Sequence, residues 1–227
     1  MNTSQRIAEG VYLIGGPQIS RGEDAAVIVL DCGPELVMFD TGCGNAPELL
    51  VMNMQNLGLN PTRLSLVILT HCHIDHVGGA PYFRRHYGCR LAAHELDAPA
   101  IESGDPVRTA ASFYGCYFPP TPIDVFLCGS EMTISCGEQE IHCLHTPGHT
   151  PGSLSPYFDR GSRRILIGQD VHGPFLPGFG SDKNLWKASM NKLLHLKADV
   201  LCEGHFGVFQ PAQEVEAYIR RQVEKNS

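Results

Sequence analysis

The sequence predicts a mixed α/β protein, and two observations carry that expectation. Short runs rich in Val, Ile and Leu fall into two groups, within residues 11–93 and 125–202, and segments with helical patterning accompany each group. The 227 residues, 43% hydrophobic and 18% charged, are enough for a full core and ordinary for a soluble globular chain. Residues 1–227 are therefore read as one domain in two halves, 1–102 and 125–227. A segment of different character, 103–124, joins them.

Taken in order, residues 11–14 and 25–30 read as strands separated by a polar, glycine-containing loop, and residues 36–39 as a third strand ending at Asp40-Thr41-Gly42. Residues 47–57 have Pro in the first turn and Gly58 after the end, the usual punctuation of a helix. Residues 64–69 are a buried strand, 80–87 a helix, 90–93 a short strand, and 94–101 a helix opening at a polar residue. His86 and His94 fit no ligand spacing and are expected at the surface or as caps. In the second half, strands are expected at 125–127, 132–134, 140–144, 154–158, 164–167 and 198–202. Pro156 points to a sheet edge or a bulge. Residues 183–196 form an amphipathic helix with Leu185, Met190, Leu193 and Leu194 on its apolar face. Trp186 and His195 on that helix are expected to be packing or surface residues. Residues 214–225 form a closing helix.

Segment 103–124 holds Pro106, Pro119, Pro120 and Pro122 with Phe113, Tyr114, Tyr117 and Phe118, and so many prolines exclude a regular helix or central strand. Four clustered aromatics are costly to leave in water, so the segment is expected to pack as a lid or pocket wall rather than serve as a bare linker.

The chemistry concentrates just after the strand at 64–69. His71, His73, Asp75 and His76 fall within six positions, and Gly78-Gly79 suits a tight exit turn. Imidazole and carboxylate suit zinc and similar divalent ions, whereas an ordinary polar loop needs no such density of them. In an extended loop, residues two apart point the same way, so His71, His73 and Asp75 are expected to converge on one spot and His76 to face a second. Cys72, between two ligands, is expected to point away and pack.

This stretch resembles the HxHxDH signature of the metallo-β-lactamase-fold superfamily. Later motifs of that family follow in order: Thr146-Pro147-Gly148-His149-Thr150-Pro151-Gly152-Ser153, then Gly168-Gln169-Asp170, then Glu203-Gly204-His205. The resemblance implies a four-layer αββα sandwich with the metal site at one edge of the two sheets. It implies one divalent ion at His71, His73 and His149, a second at Asp75, His76 and His205, and Asp170 bridging both. Asp40 matches an aspartate that braces the metal loop from behind. Physically, a ligating histidine usually donates its other ring nitrogen to such a group. The closest branch by motif is glyoxalase-II-like (hydroxyacylglutathione hydrolase-like).

What the resemblance implies chemically is metal-dependent hydrolysis of a thioester, ester or lactone carbonyl. Two ions about 3.5–4 Å apart bring a shared water to a pKa of about 7 and polarise the carbonyl. Asp75 and Asp170 are the carboxylates expected to take part in catalysis. Tyr114, Tyr117, His172 and Phe175 are candidate substrate contacts. Zinc is the first choice of metal, and iron or manganese also suits the carboxylate bridge. No Gly-x-Ser-x-Gly is present.

Glutathione itself fits less well. Val171-His172-Gly173-Pro174-Phe175-Leu176-Pro177 stands where that branch has a Cys-Gly-Arg element. Residues 206–227, the 22 after His205 (227 − 205), leave no room for a helical glutathione-binding domain. The alternative is an iron oxidoreductase of the persulfide dioxygenase type, holding one iron at His71, His149 and Asp170, although its arginine-containing stretch is not found here. Di-iron oxygen reductases carry Glu where this chain has His73, and class B β-lactamases carry Cys at the place of Asp170. A nucleic-acid-processing hydrolase fits worse still, because the formal net charge is −7 and no Lys/Arg block is present.

The expected partner is a small-molecule substrate, with neither nucleic acid nor membrane; homo-oligomerisation stays open. The first ten residues have no apolar h-region and no apolar run approaches eighteen residues, so neither secretion nor membrane spanning is expected. Nine cysteines, an odd number without a CxxC pair, fit free thiols in a reducing cytoplasm, with Cys32, Cys143 and Cys202 in apolar runs.

Overall fold

Alternating burial organises the chain into two sheets, seen here in a computed structural model that describes residues 4–226. The first sheet comprises β1 (Gln5–Ala8), β2 (Val11–Gly15), β3 (Val27–Asp31), β4 (Leu36–Phe39), β5 (Leu64–Ile68), β6 (Arg90–His94) and β7 (Val125–Leu127), in that spatial order. Its first half is antiparallel and β4 to β7 run parallel. The second sheet comprises β8 (Glu131–Cys136), β9 (Gln139–His145), β10 (Leu154–Arg160), β11 (Arg163–Gln169), β12 (Val200–Glu203) and β13 (Gly207–Phe209), all antiparallel except the β11–β12 pair. Helices α1 (Pro47–Asn56), α2 (Ile74–Val77), α3 (Ala80–Tyr87) and α4 (Ala98–Ser103) belong to the first half, and α5 (Lys183–Leu196) and α6 (Ala212–Lys225) to the second.

Three apolar layers hold these parts together. The middle one lies between the sheets, where Ile28, Val37 and Phe39 meet Ile141, Phe158 and Ile165. Phe39 and Phe158 stack across it with ring centroids 5.8 Å apart. The outer face of the first sheet packs Val29, Met38 and Val67 under Leu50, Met54 and Phe83 of α1 and α3. The outer face of the second packs Leu166 and Leu201 under Trp186, Met190 and Ile219 of α5 and α6. Helix, sheet, sheet, helix is the αββα sandwich that the motifs implied.

Several local expectations need correction. Residues 94–101 are not one helix: His94 ends β6, is 3% exposed, and stacks on His145 with centroids 3.9 Å apart, so it is neither surface nor cap. The helix begins only at Ala98. On α5, Trp186 is fully buried and Leu185 is 48% exposed, so the apolar face is rotated from the one expected. Strand β10 is interior, yet Pro156 pairs only with Cys143 of β9, because the β11 register starts at Tyr157. At that residue the strand has one partner, which tolerates a missing N–H. Strands β1 and β13, both short edges, were not anticipated.

Segment 104–124 contains no helix or strand. Its aromatics part company: Phe118 is core, whereas Phe113 and Tyr117 are 73% and 79% exposed.

Candidate metal centre

Strand ends on one edge of the sandwich deliver the histidines and aspartates. The loop after β5 supplies 71–76, the turn after β9 supplies His149, β11 ends one residue before Asp170, and β12 ends two before His205. Carboxyl ends of neighbouring parallel strands, here β4–β5 and β11–β12, are where open α/β sheets place their sites.

The side chains form two sets, each with ligand atoms within 4.8 Å of one another: His71, His73, His149 and Asp170; and Asp75, His76, Asp170 and His205. In the first set, His73 Nδ1 lies 3.1 Å from His71 Nε2 and 2.9 Å from His149 Nε2. Asp170 divides its oxygens between the sets. Oδ2 is 3.4 Å from His149 Nε2, while Oδ1 is 3.2 Å from His76 Nε2 and 3.3 Å from His205 Nε2. Asp75 Oδ2 lies 3.2 Å from His205 Nε2.

These spacings fit divalent ions. A tetrahedral ion with bonds of about 2.0–2.1 Å sets neighbouring ligand atoms about 3.3–3.4 Å apart. His76 Nε2 and Asp170 Oδ1 are buried without a protein hydrogen-bond partner, which is costly unless something else binds them.

Asp75 stands with His76, not with His71 and His73 as strict alternation predicted. Residues 74–77 form the single turn α2 rather than an extended loop, so the period-two rule stops at His73. Backbone bonds fix that turn: Ala25 N donates to Asp75 O at 3.1 Å and Thr41 N to His76 O at 2.7 Å. Cys72 points away from both sets, and its thiol donates to the Arg108 carbonyl at 3.1 Å.

The histidines are oriented from behind. Asp40 accepts from His76 Nδ1 at 2.7 Å, from Thr70 N at 2.8 Å and from Thr70 Oγ1 at 2.7 Å. His149 Nδ1 donates to the Pro174 carbonyl at 2.9 Å. Asp97, unremarked in the sequence, accepts from Cys72 N (3.0 Å), Thr150 Oγ1 (2.7 Å) and Gly152 N (2.8 Å), tying the β5 loop to the β9 turn. Glu203 is fully buried; it accepts from His172 Nδ1 at 2.8 Å and from the backbone N–H groups of His205 and Phe206. Sequence reasoning assigned neither a role: the place of Glu203 two residues before His205 is a signal that could have found it, and Asp97 offers none. Asp40 and Gln169 take positive φ (60° and 44°), backbone strain placed directly beside the cluster.

Electrostatics separates the sets. Burial, reinforced by neighbouring imidazoles, lowers the pKa of His71, His73 and His149, so they are neutral and ready to coordinate. Burial also opposes charge on His76, yet Asp170, Asp40 and Asp75 together raise its pKa well above the ordinary value. His205 rises to about 10, because Asp170 and Asp75 outweigh its burial. Three carboxylates thus make the second set strongly attractive to a cation.

A cavity of about 310 Å3 opens over Asp75, Asp170 and His205. Tyr114 and His172 line it, as do Phe113, Phe179 and Phe206. Burial, with the Asp75 carboxylate beside it, raises the Tyr114 phenol. Phe179 lies on the His73 ring at 4.3 Å. Phe175 does not line this cavity; it packs edge-on against Trp186 at 4.9 Å. Tyr117 does not reach it either.

An αββα sandwich carrying a His/Asp cluster of this form at one sheet edge defines a metal-binding class of protein. The sequence profile of the metallo-beta-lactamase superfamily matches residues 22–205, and the chain belongs to that superfamily. A hydroxyacylglutathione hydrolase of Haemophilus influenzae is 30% identical over 173 residues, covering 70% of this chain and 74% of that protein. An acyl-coenzyme A thioesterase of Homo sapiens is 25% identical over 186 residues, covering 73% and 64%. Against some other curated relatives the chain spans only about three fifths of their length, at 59%, 62% and 58%. In fold, a subclass B3 metallo-beta-lactamase of Bradyrhizobium japonicum superposes with a TM-score of 0.82 at 22% identity, covering 98% of this chain and 91% of that one. Among the described residues no helix is long and apolar enough to cross a membrane.

Proposed function

We propose that this protein is a binuclear metallo-hydrolase that cleaves a thioester, ester or lactone carbonyl. The observation that carries the reading is the split carboxylate of Asp170, one oxygen toward each histidine set. His71, His73 and His149 would hold one ion and Asp75, His76 and His205 the other, with zinc favoured by the imidazole-rich donors. When bound, the ions would supply an activated water and polarise the carbonyl.

The chain's own groups do the rest. Asp40 and the Pro174 carbonyl aim His76 and His149. Phe179 covers His73 and keeps bulk water from that side. Tyr114, from the 104–124 segment, faces Asp75 and walls the cavity together with His172. Burial raises the Cys72 thiol, which points away from the site, and among the described residues lining the cavity there is no Ser, Thr or Cys. A thiolate leaves without a proton, so thioesters and strained lactones are the preferred class and unstrained amides the poorest.

Relatives named as a hydroxyacylglutathione hydrolase and an acyl-coenzyme A thioesterase support this class. The net charge of −7 favours a small molecule over nucleic acid, and nine free cysteines favour a reducing compartment such as the cytoplasm.

Hydrolysis in 18O-labelled water tests the reading. The label should enter the product acid within the first turnover, with no burst of thiol. A burst, or an acylated Cys72 found by mass spectrometry, would overturn it.

A further inference from the structure

We propose that the substrate is an uncharged ester or thioester whose two halves lie on opposite sides of Phe206. The inference rests on the hydrolase reading above and narrows its substrate.

Phe206 is 61% exposed, an unusual place for a phenylalanine, yet it is not loose. Its N–H donates to Glu203 Oε2 at 2.9 Å, and its ring meets that of His172 edge-on with centroids 4.8 Å apart. It stands as a partition. On one side is the 310 Å3 cavity, walled by Phe113, Tyr114 and Phe179 over the acidic floor. On the other is a groove of about 380 Å3 between the sheets at their β1 and β13 edge, which shares His205 and Phe206 with the first cavity. Gln5, Gln18 and Gln210 line this groove with the backbone of Gly15 and Gly16. A carbonyl at the shared wall therefore has an aromatic chamber on one side and an amide-lined channel on the other.

The wall chemistry selects the halves. Aromatic faces take an apolar acyl group. Glutamine amides both donate and accept, which matches the amides and hydroxyls of a neutral leaving group. Phosphates and carboxylates are normally held by Arg or Lys, and among the described residues lining either cavity there is neither. Neighbouring cations lie outside both linings. The Arg108 guanidinium is 3.7 Å from Asp97, with Nε and Nη2 buried and without a hydrogen-bond partner, Lys183 sits over the Phe175 ring at 5.8 Å, and Arg163 donates to Gln210 at the groove's rim. The net charge of −7 further disfavours an anionic substrate.

The experiment compares octanoyl thioesters of N-acetylcysteamine, glutathione and coenzyme A on the metal-loaded enzyme. Alongside it, calorimetric binding of the S-octyl thioethers of N-acetylcysteamine and glutathione gives a readout independent of turnover. We expect kcat/KM for the neutral thioester to exceed both anionic ones, by about tenfold for each charge-assisted contact that the walls do not supply. The neutral thioether should bind more tightly, and Gln5→Lys should shift the ratio toward glutathione several-fold. A higher kcat/KM for either anionic thioester overturns the proposal, and an unchanged ratio in Gln5→Lys overturns the placement of the leaving half. If none of the three is cleaved, nor an octanoyl methyl ester or a lactone of matching chain length, the hydrolase reading itself fails, and the inference with it.

Discussion

Oδ2 of Asp40 accepts a 2.7 Å hydrogen bond from Nδ1 of His76, and this one contact decides which face of that imidazole looks into the site. With Nδ1 committed backward, Nε2 points at Asp170, 3.2 Å away. Asp40 is itself pinned by Thr70 and held at φ 60°, so the His76 ring has little freedom to turn.

Replacing Asp40 with alanine should therefore weaken the second set more than the first. We expect affinity for one divalent ion to fall about 10–100-fold while the other holds, as is usual when such a brace is lost. Metal titration followed by calorimetry, with circular dichroism to confirm folding, reads this directly. Unchanged affinity for both ions would show the bond to be structural only.

Tyr114 and Tyr117 should behave differently although they are only three positions apart. Tyr114 lines the cavity beside Asp75, whereas Tyr117 is 79% exposed. Tyr114→Ala should raise KM several-fold with little change in melting temperature, and Tyr117→Ala should change neither beyond about 0.5 kcal/mol of stability. Equal effects of the two substitutions on KM would count against a cavity-wall role confined to Tyr114.

His145 gives stability a pH dependence. Burial is the main reason its pKa lies below the ordinary 6.5; stacked His94 and nearby Lys192 push the same way, against the Pro151 carbonyl and Asp97. The unfolded chain binds more protons below pH 6.5, so the contribution is complete above that pH and is lost as pH falls further. In urea melts at saturating metal, His145→Gln should flatten the decline between pH 6.5 and 5. An identical slope in wild type and variant would exclude His145 as its source.

Much of this was legible in the sequence, and the exceptions have physical causes. Buried strands such as Val27–Asp31 and Leu64–Ile68 announce themselves by short runs rich in Val, Ile and Leu, and the amphipathic α5 by its period. The cluster was legible because four ligand residues, three His and one Asp, crowd one loop. Its division came from the family resemblance and not from spacing: alternation puts Asp75 on the wrong side because α2 winds one turn, held by Ala25 and Thr41, residues far away in sequence. His94 and Asp97 looked like the start of a helix because nothing local shows that β6 runs on to His94. In the 104–124 segment composition announced aromatic packing, but only the path of the chain could choose Phe118 for the core over Tyr117. Edge β1 is half polar and edge β13 is three residues opening on Gly207, so neither registers as a strand.

The most direct measurement is elemental analysis of the purified protein beside Asp170→Ala. The split carboxylate predicts two divalent ions per wild-type chain and the loss of at least one when Asp170 is removed. A single tightly bound ion, retained unchanged in Asp170→Ala, would contradict a binuclear centre.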